Sequence, residues 1–151
     1  QSIEYDYFQQ FYKNFQHLKP YRTEWMIYHE EWKFAGSIDM VFENPDGTLL
    51  IYDWKRCKNI RKDNMFESAH EPCISHLPNS NFWHYALQLN TYKAILEDKY
   101  GKKVSGLYLV CLHPINDSYL RIKLPHLKEE MKDLLELHVK KLNVACISSV
   151  L

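Results

Sequence analysis

Two aspartates and a lysine lie in segments that otherwise have the composition of buried β-strands. Asp39 follows Gly-Ser-Ile, and Asp53 follows Leu-Ile-Tyr and is separated from Lys55 by a tryptophan. Aspartate is a poor strand former, so its presence in two apolar strands calls for a chemical reason. Side chains alternate along a strand, so Asp53 and Lys55 project from one face and Trp54 from the other. The pattern indicates an acidic and basic cluster on one face of a β-hairpin.

The turn between the two strands decides whether the aspartates meet. Asn44-Pro45-Asp46-Gly47 is a strong turn signal. If the hairpin is symmetric about Asp46, Asp39 faces Asp53 with side-chain roots roughly 5 Å apart, whereas a bulge would break this register. Two bare carboxylates there repel each other, so either one is protonated or a cation lies between them. A hard divalent cation such as Mg²⁺ or Mn²⁺ suits the pair, and a surface ion pair is the alternative interpretation.

Hydrophobic spacing predicts the elements that hold these residues. In chain order they are a helix over 2–18, strands over 23–29, 32–43 and 48–55, a helix over 82–100, strands over 104–112 and 118–124, and a helix over about 126–142. This order, αβββαββα, is typical of the α/β (α+β) class, with a central mixed sheet flanked by helices. No repeat or linker divides the chain, so we expect a single domain over 1–151. The first residue is glutamine rather than methionine, consistent with a fragment of a larger protein.

Three motifs in this order resemble the PD-(D/E)XK nuclease superfamily, specifically its RecB-like exonuclease branch. Gly-Ser-Ile-Asp ends at Asp39 and is followed fourteen residues on by Asp-Trp-Lys, while the second predicted helix carries Gln88-Leu-Asn-Thr-Tyr92, similar to that branch's Gln-x-x-x-Tyr motif. Gln88 and Tyr92 are four positions apart and so share a helix face. The resemblance covers roughly residues 5–124 and implies a restriction-endonuclease-like core.

The resemblance also implies an activity. The protein would be a Mg²⁺- or Mn²⁺-dependent deoxyribonuclease, an exonuclease or endonuclease that hydrolyses phosphodiester bonds in nucleic acid. Single- or double-stranded DNA is favoured as the substrate, with RNA as the open alternative. Asp39 and Asp53 would be metal ligands, and Lys55 would assist the attack of a metal-activated water. Gln88 and Tyr92 would steady the site or the nucleic-acid backbone. The alternative is a catalytically inactive nucleic-acid-binding or assembly module that keeps the nuclease fold.

The implied ligand set extends beyond the two aspartates. It includes the backbone carbonyl of Trp54, with Glu24 on the preceding strand as a further candidate. Glu30 or Glu31 could take that place instead, and a solvated glutamate at a strand edge is the commoner situation. Many RecB-like nucleases also carry a histidine or glutamate on an upstream helix, a ligand whose identity this sequence leaves open.

Cysteine spacing bears on cofactor and compartment. Some RecB-like relatives bind an iron–sulfur cluster through one upstream and three clustered downstream cysteines, but the four cysteines here are widely spaced, so we expect no iron–sulfur cluster. Free thiols, the lack of a signal peptide and the lack of a long apolar run favour an intracellular, reducing compartment, nucleus or cytoplasm, with no secretion and no membrane partner. The cysteines are Cys57, Cys73, Cys111 and Cys146.

Charge distribution bears on the partner. With 19 basic and 19 acidic residues the net charge is zero, which argues against a broad basic coat but leaves room for a local strip. Such a strip follows Lys55 directly and predicts phosphate contacts, with a solvated loop as the alternative. We expect weak, salt-sensitive DNA affinity, fitting a catalytic module within a larger replication, repair or viral complex. The strip consists of Arg56, Lys58, Arg61 and Lys62.

Overall fold

The structure, a computed structural model, describes residues 2–56, 60 and 80–150, and for 144–150 the backbone alone. The described part contains three helices and five strands. They are α1 (Ile3–Asn14), β1 (Lys19–His29), β2 (Phe34–Glu43), β3 (Leu49–Lys55), α2 (Asn81–Asp98), β4 (Val104–Cys111), β5 (Leu120–Lys123) and α3 (Lys128–Val150). The predicted order αβββαββα and the α+β class are confirmed.

The five strands form one mixed sheet in the order β1-β2-β3-β4-β5. Neighbouring strands are antiparallel except β3 and β4, which are parallel and joined through α2. A parallel pair needs such a crossover connection, and it brings the carboxyl ends of both strands to one edge of the sheet. Lys55, at the end of β3, therefore lies beside Cys111, at the end of β4.

The turn between β2 and β3 has the predicted register. Met40 pairs with Tyr52 and Glu43 with Leu49, so the hairpin is centred on Asp46. Gly47 has φ +86°, a left-handed conformation that glycine adopts without strain, and its N–H donates to the carbonyl of Asn44 at 2.9 Å. The turn chemistry thus places the two motif strands as the sequence predicts.

Each face of the sheet has its own apolar core. The core toward α2 contains Ile51 of β3, and the core toward α1 contains Tyr52 together with Phe11 of the helix. Because side chains alternate along β3, Asp53 and Lys55 continue the α2 face and Trp54 continues the α1 face. Trp54 packs against Phe11 at 5.2 Å between ring centroids, which anchors the strand from behind.

The alternation breaks in β2 at Asp39. Ile38 and Val41 are three positions apart yet pack in the same core, toward α2, while Met40 packs toward α1. In β1, the neighbours of Glu24 pair with the neighbours of Asp39, and Glu24 has φ +46°, a left-handed conformation that is uncommon for a residue other than glycine. Both strands are therefore irregular beside the first motif aspartate.

Several element boundaries differ from the predicted ones. Helix α1 ends at Asn14 rather than near residue 18, because the chain is already extended at Lys19 and Pro20. Proline is found in sheets chiefly on edge strands, and β1 is an edge strand. Helix α3 continues to Val150, beyond the predicted end near residue 142. Among the described residues, no helix has the length and apolarity needed to cross a membrane.

Candidate active site

The carboxyl end of β3 brings Asp53 and Lys55 together on the α2 side of the sheet. Asp53 is buried, and Lys55 Nζ lies 2.7 Å from its Oδ2 atom. Lys55 is the ion-pair partner of this buried oxygen within the described part of the chain. One ammonium compensates a buried carboxylate only in part, so a further electropositive partner is favourable there.

Asp39 reaches the same place from β2. The assigned pairing of β2 with β3 stops at Met40 and Tyr52, and beyond it the N–H of Trp54 donates to Oδ2 of Asp39 at 3.0 Å. The Asp39 side chain thus takes the place of a β2 carbonyl. The N–H and C=O of a strand residue point toward the same neighbouring strand, so the carbonyl of Trp54 is directed to the Asp39 side as well.

The proximity of two carboxyl groups affects the pKa values of the residues at this end of the hairpin. Burial, together with the neighbouring Asp39 carboxyl, raises the pKa of Asp53 to about 6 against the opposing effect of Lys55. For Lys55, burial acts to lower the pKa, but the ion pair with Asp53 outweighs it and the pKa ends above its ordinary value. Burial and Asp39 therefore disfavour the ionised form of Asp53 by more than Lys55 stabilises it.

These residues fit a hard divalent cation. Two carboxylates and a directed carbonyl are the oxygen ligands that Mg²⁺ and Mn²⁺ prefer. Among the described residues no cluster of three or more histidine, cysteine, aspartate or glutamate side chains has the geometry to hold a metal. A Mg²⁺ site commonly uses one or two carboxylates and completes its shell with water and substrate phosphate oxygens.

Two tyrosine side chains and one glutamine side chain of α2 lie over the hairpin. Gln88 Nε2 donates to the hydroxyl of Tyr92 at 3.0 Å, so these two predicted residues form one unit. Burial and the charge of Asp53 raise the pKa of Tyr92, which places its hydroxyl within the field of the acidic pair. The ring of Tyr85 lies beneath Lys55, with Nζ 4.3 Å from the ring centroid.

Tyr85 is a site residue that the sequence analysis missed. The sequence does contain a pattern that indicates it, because residues 85, 88 and 92 fall at i, i+3 and i+7 of one helix and so share a face.

By contrast Asn90, inside the Gln-x-x-x-Tyr segment, is buried away from the hairpin. Its Nδ2 donates to the carbonyls of Ala86 and Pro125, and its Oδ1 accepts from the N–H of Leu127.

The close packing of the Tyr92 ring explains why the first motif has a glycine at position 36. A Cβ atom added to Gly36 would lie 2.5 Å from Cε1 of the Tyr92 ring, closer than such contacts ever come. Only glycine leaves room for the ring to lie against β2. The motif glycine and the motif tyrosine are therefore one packing unit between strand and helix.

Replacement of Gly36 by alanine should consequently displace the Tyr92 ring. We expect a loss of about 1–3 kcal/mol in the free energy of unfolding, the usual range for overpacking. Chemical denaturation measures this loss. In a Y92A background the same G36A change should cost less, since the added methyl then meets no ring, and equal stability of G36A and wild type would contradict the packing argument.

The other predicted residues are not gathered at this place. Glu24 is exposed, and it does not join the two aspartates in a three-acid cluster. Glu30 is ion-paired with Lys99 at 3.3 Å, away from the hairpin site. Arg56 makes a 2.6 Å ion pair with Glu4 of α1, so the first residue of the basic strip is held by an acid. The remaining strip residues, Lys58, Arg61 and Lys62, lie outside the described residues.

The mixed sheet, with an Asp…Asp-x-Lys hairpin covered by a Gln-x-x-x-Tyr helix, defines the class as nuclease-like. The family model of the PD-(D/E)XK nuclease superfamily matches residues 3–147, and the chain belongs to that superfamily. Nucleases of this superfamily act on nucleic acids and generally use divalent metals. No curated protein matches the chain.

Proposed function

We propose that the protein is a Mg²⁺- or Mn²⁺-dependent deoxyribonuclease that hydrolyses phosphodiester bonds. The observation that carries the proposal is the state of Asp53. Its carboxylate is buried beside a second carboxylate, and its pKa is raised to about 6 although Lys55 Nζ lies 2.7 Å away. A divalent cation between the two carboxylates would offset both the burial of the charge and the repulsion.

A bound cation would supply Lewis-acid polarisation of the phosphate and of the attacking water. Asp39 and Asp53 would hold it with the carbonyl of Trp54. The backbone N–H of Trp54 fixes the orientation of the Asp39 carboxylate through the 3.0 Å hydrogen bond. Such preorganisation matters because a ligand that is already oriented needs no rearrangement as charge develops.

Lys55 is suited to stabilise negative charge on the reacting phosphate. Its pKa is above the ordinary lysine value, so the ammonium keeps its proton at neutral pH. From there it can donate a hydrogen bond to a non-bridging phosphate oxygen while water forms the new bond to phosphorus and releases a proton to solvent; the bond to the 3′-oxygen breaks, and this oxygen takes a proton from solvent. Gln88 and Tyr92, bonded to each other, would contact the nucleic-acid backbone.

The proposal extends to the setting of the reaction. We infer a RecB-like domain that works within a larger replication, repair or viral complex. Support comes from the Gln-x-x-x-Tyr helix that faces the hairpin and from the zero net charge, which gives the domain little general attraction to DNA.

Cleavage of labelled nucleic acids tests the proposal. We expect the protein to cut DNA in Mg²⁺ or Mn²⁺ and to lose that activity with a chelator, with RNA of matched sequence cut more slowly. Closed circular and linear DNA, each single- and double-stranded, separate endonuclease from exonuclease action. Metal-independent binding without cleavage would contradict the enzyme and support the inactive nucleic-acid-binding module.

A further inference from the structure

We propose that Tyr85 is a positioning residue whose ring face holds the Lys55 ammonium beside Asp53. The proposal rests on the role of Lys55 in the proposed function. Lys55 Nζ has two close partners in the described site, Oδ2 of Asp53 at 2.7 Å and the Tyr85 ring at 4.3 Å from its centroid. The ammonium thus lies between a carboxylate from β3 and an aromatic ring from α2.

A lysine in this position needs a second support. Its stem has four rotatable carbons, and a single ion pair leaves the ammonium able to swing about the carboxylate. An aromatic face attracts a cation through the ring quadrupole, and the attraction strengthens where water is partly excluded. The Lys55 side chain is 22% exposed, so the ring acts on a partly desolvated charge.

The ring itself is held in place. Tyr85 is half-buried and packs against the apolar core on the α2 side of the sheet. It lies one helical turn before Gln88, on the face that also carries Tyr92. The helix therefore presents a ring to Lys55 and a hydrogen-bonded Gln88–Tyr92 pair to the rest of the site.

Two substitutions separate the ring face from the hydroxyl. Tyr85→Phe keeps the face, and Tyr85→Leu removes it while keeping an apolar side chain. We expect kcat for metal-dependent cleavage to fall about tenfold in Y85L with KM nearly unchanged, and Y85F to restore most of it. A Lys55→Ala background should abolish the further effect of Y85L, because no ammonium is left to position. Tyr12→Leu, which removes an exposed tyrosine ring on α1, is the matched control.

A measurement without activity tests the same contact. In protein labelled with ¹³C-lysine, the Lys55 ε-methylene resonance, assigned by its loss in Lys55→Arg, should be shifted upfield by the Tyr85 ring. The shift should persist in Y85F and disappear in Y85L. An unchanged Lys55 resonance in Y85L, or equal kcat in Y85L and Y85F, overturns the proposal. If wild type cleaves nothing, the nuclease proposal fails, while the resonance still decides whether Tyr85 positions Lys55.

Discussion

Asp53→Asn should abolish metal-dependent cleavage, with a loss of roughly 10³-fold or more in kcat, while the protein remains folded. The amide keeps the shape of the carboxyl but carries no charge to hold a divalent cation. Lys55→Ala should show a loss of similar size, since no other described cation lies within ion-pair distance of Asp53. Cleavage of end-labelled DNA under single-turnover conditions measures both.

Stability distinguishes loss of chemistry from loss of fold. The ionised form of Asp53 is disfavoured in the native state by burial and by Asp39, so removing that charge should leave metal-free D53N at least as stable as wild type at neutral pH. An inactive variant that melts no earlier than wild type is the expected result. Asp117→Asn, in the loop between β4 and β5, and Lys132→Ala, on α3, change exposed residues; they are the matched controls and should cleave normally. Normal cleavage by D53N would contradict the assignment of Asp53.

The arrangement of the hairpin could be predicted from sequence because the residue types of its turn strongly favour a tight turn at that place. Asn-Pro-Asp-Gly allows few conformations, and the conformation of the turn determines which residues of the two strands pair. Because side chains alternate between the two faces of a strand, this register also determines the face on which each side chain lies. The predicted register about Asp46 is accordingly present, up to the pair formed by Met40 and Tyr52. The spacing of Gln88 and Tyr92 is equally local, since a helix puts residues four apart on one face.

Other features depend on contacts between distant segments, and local rules do not reach them. The break in alternation at Asp39 coincides with the left-handed backbone of Glu24 on the neighbouring strand, so neither strand alone reveals it. The ion pair of Arg56 with Glu4 joins residues that the sequence separates by most of the sheet. The contact of Lys55 with the Tyr85 ring likewise requires α2 to cross over the end of β3.

The metal-free protein should lose stability as pH rises from about 4 to about 6. The native pKa of Asp53 is about 6, above the ordinary value of 3.8, so in this window the folded state binds a proton that the unfolded state has released. The stabilisation is therefore complete below pH 4 and lost as pH passes through 6. The linkage amounts to roughly 3 kcal/mol from this group, since the native pKa of about 6 lies about 2.2 above 3.8 and each pKa unit corresponds to about 1.4 kcal/mol.

Divalent metal should reverse this loss, and only where Asp53 is ionised. At pH 7.5, saturating Mn²⁺ is expected to raise the free energy of unfolding by about 2–3 kcal/mol, the linkage energy at a concentration near 100 times Kd. At pH 5 the gain should be much smaller, because the proton on Asp53 competes with the cation. Chemical denaturation at both pH values, with and without Mn²⁺, measures the four stabilities. D53N should lack both the Asp53-linked loss above pH 4 and the Mn²⁺ gain, because it has neither the titrating group nor the ligand, whereas D117N should keep both. An equal Mn²⁺ effect at the two pH values would mean that the cation binds somewhere other than beside Asp53.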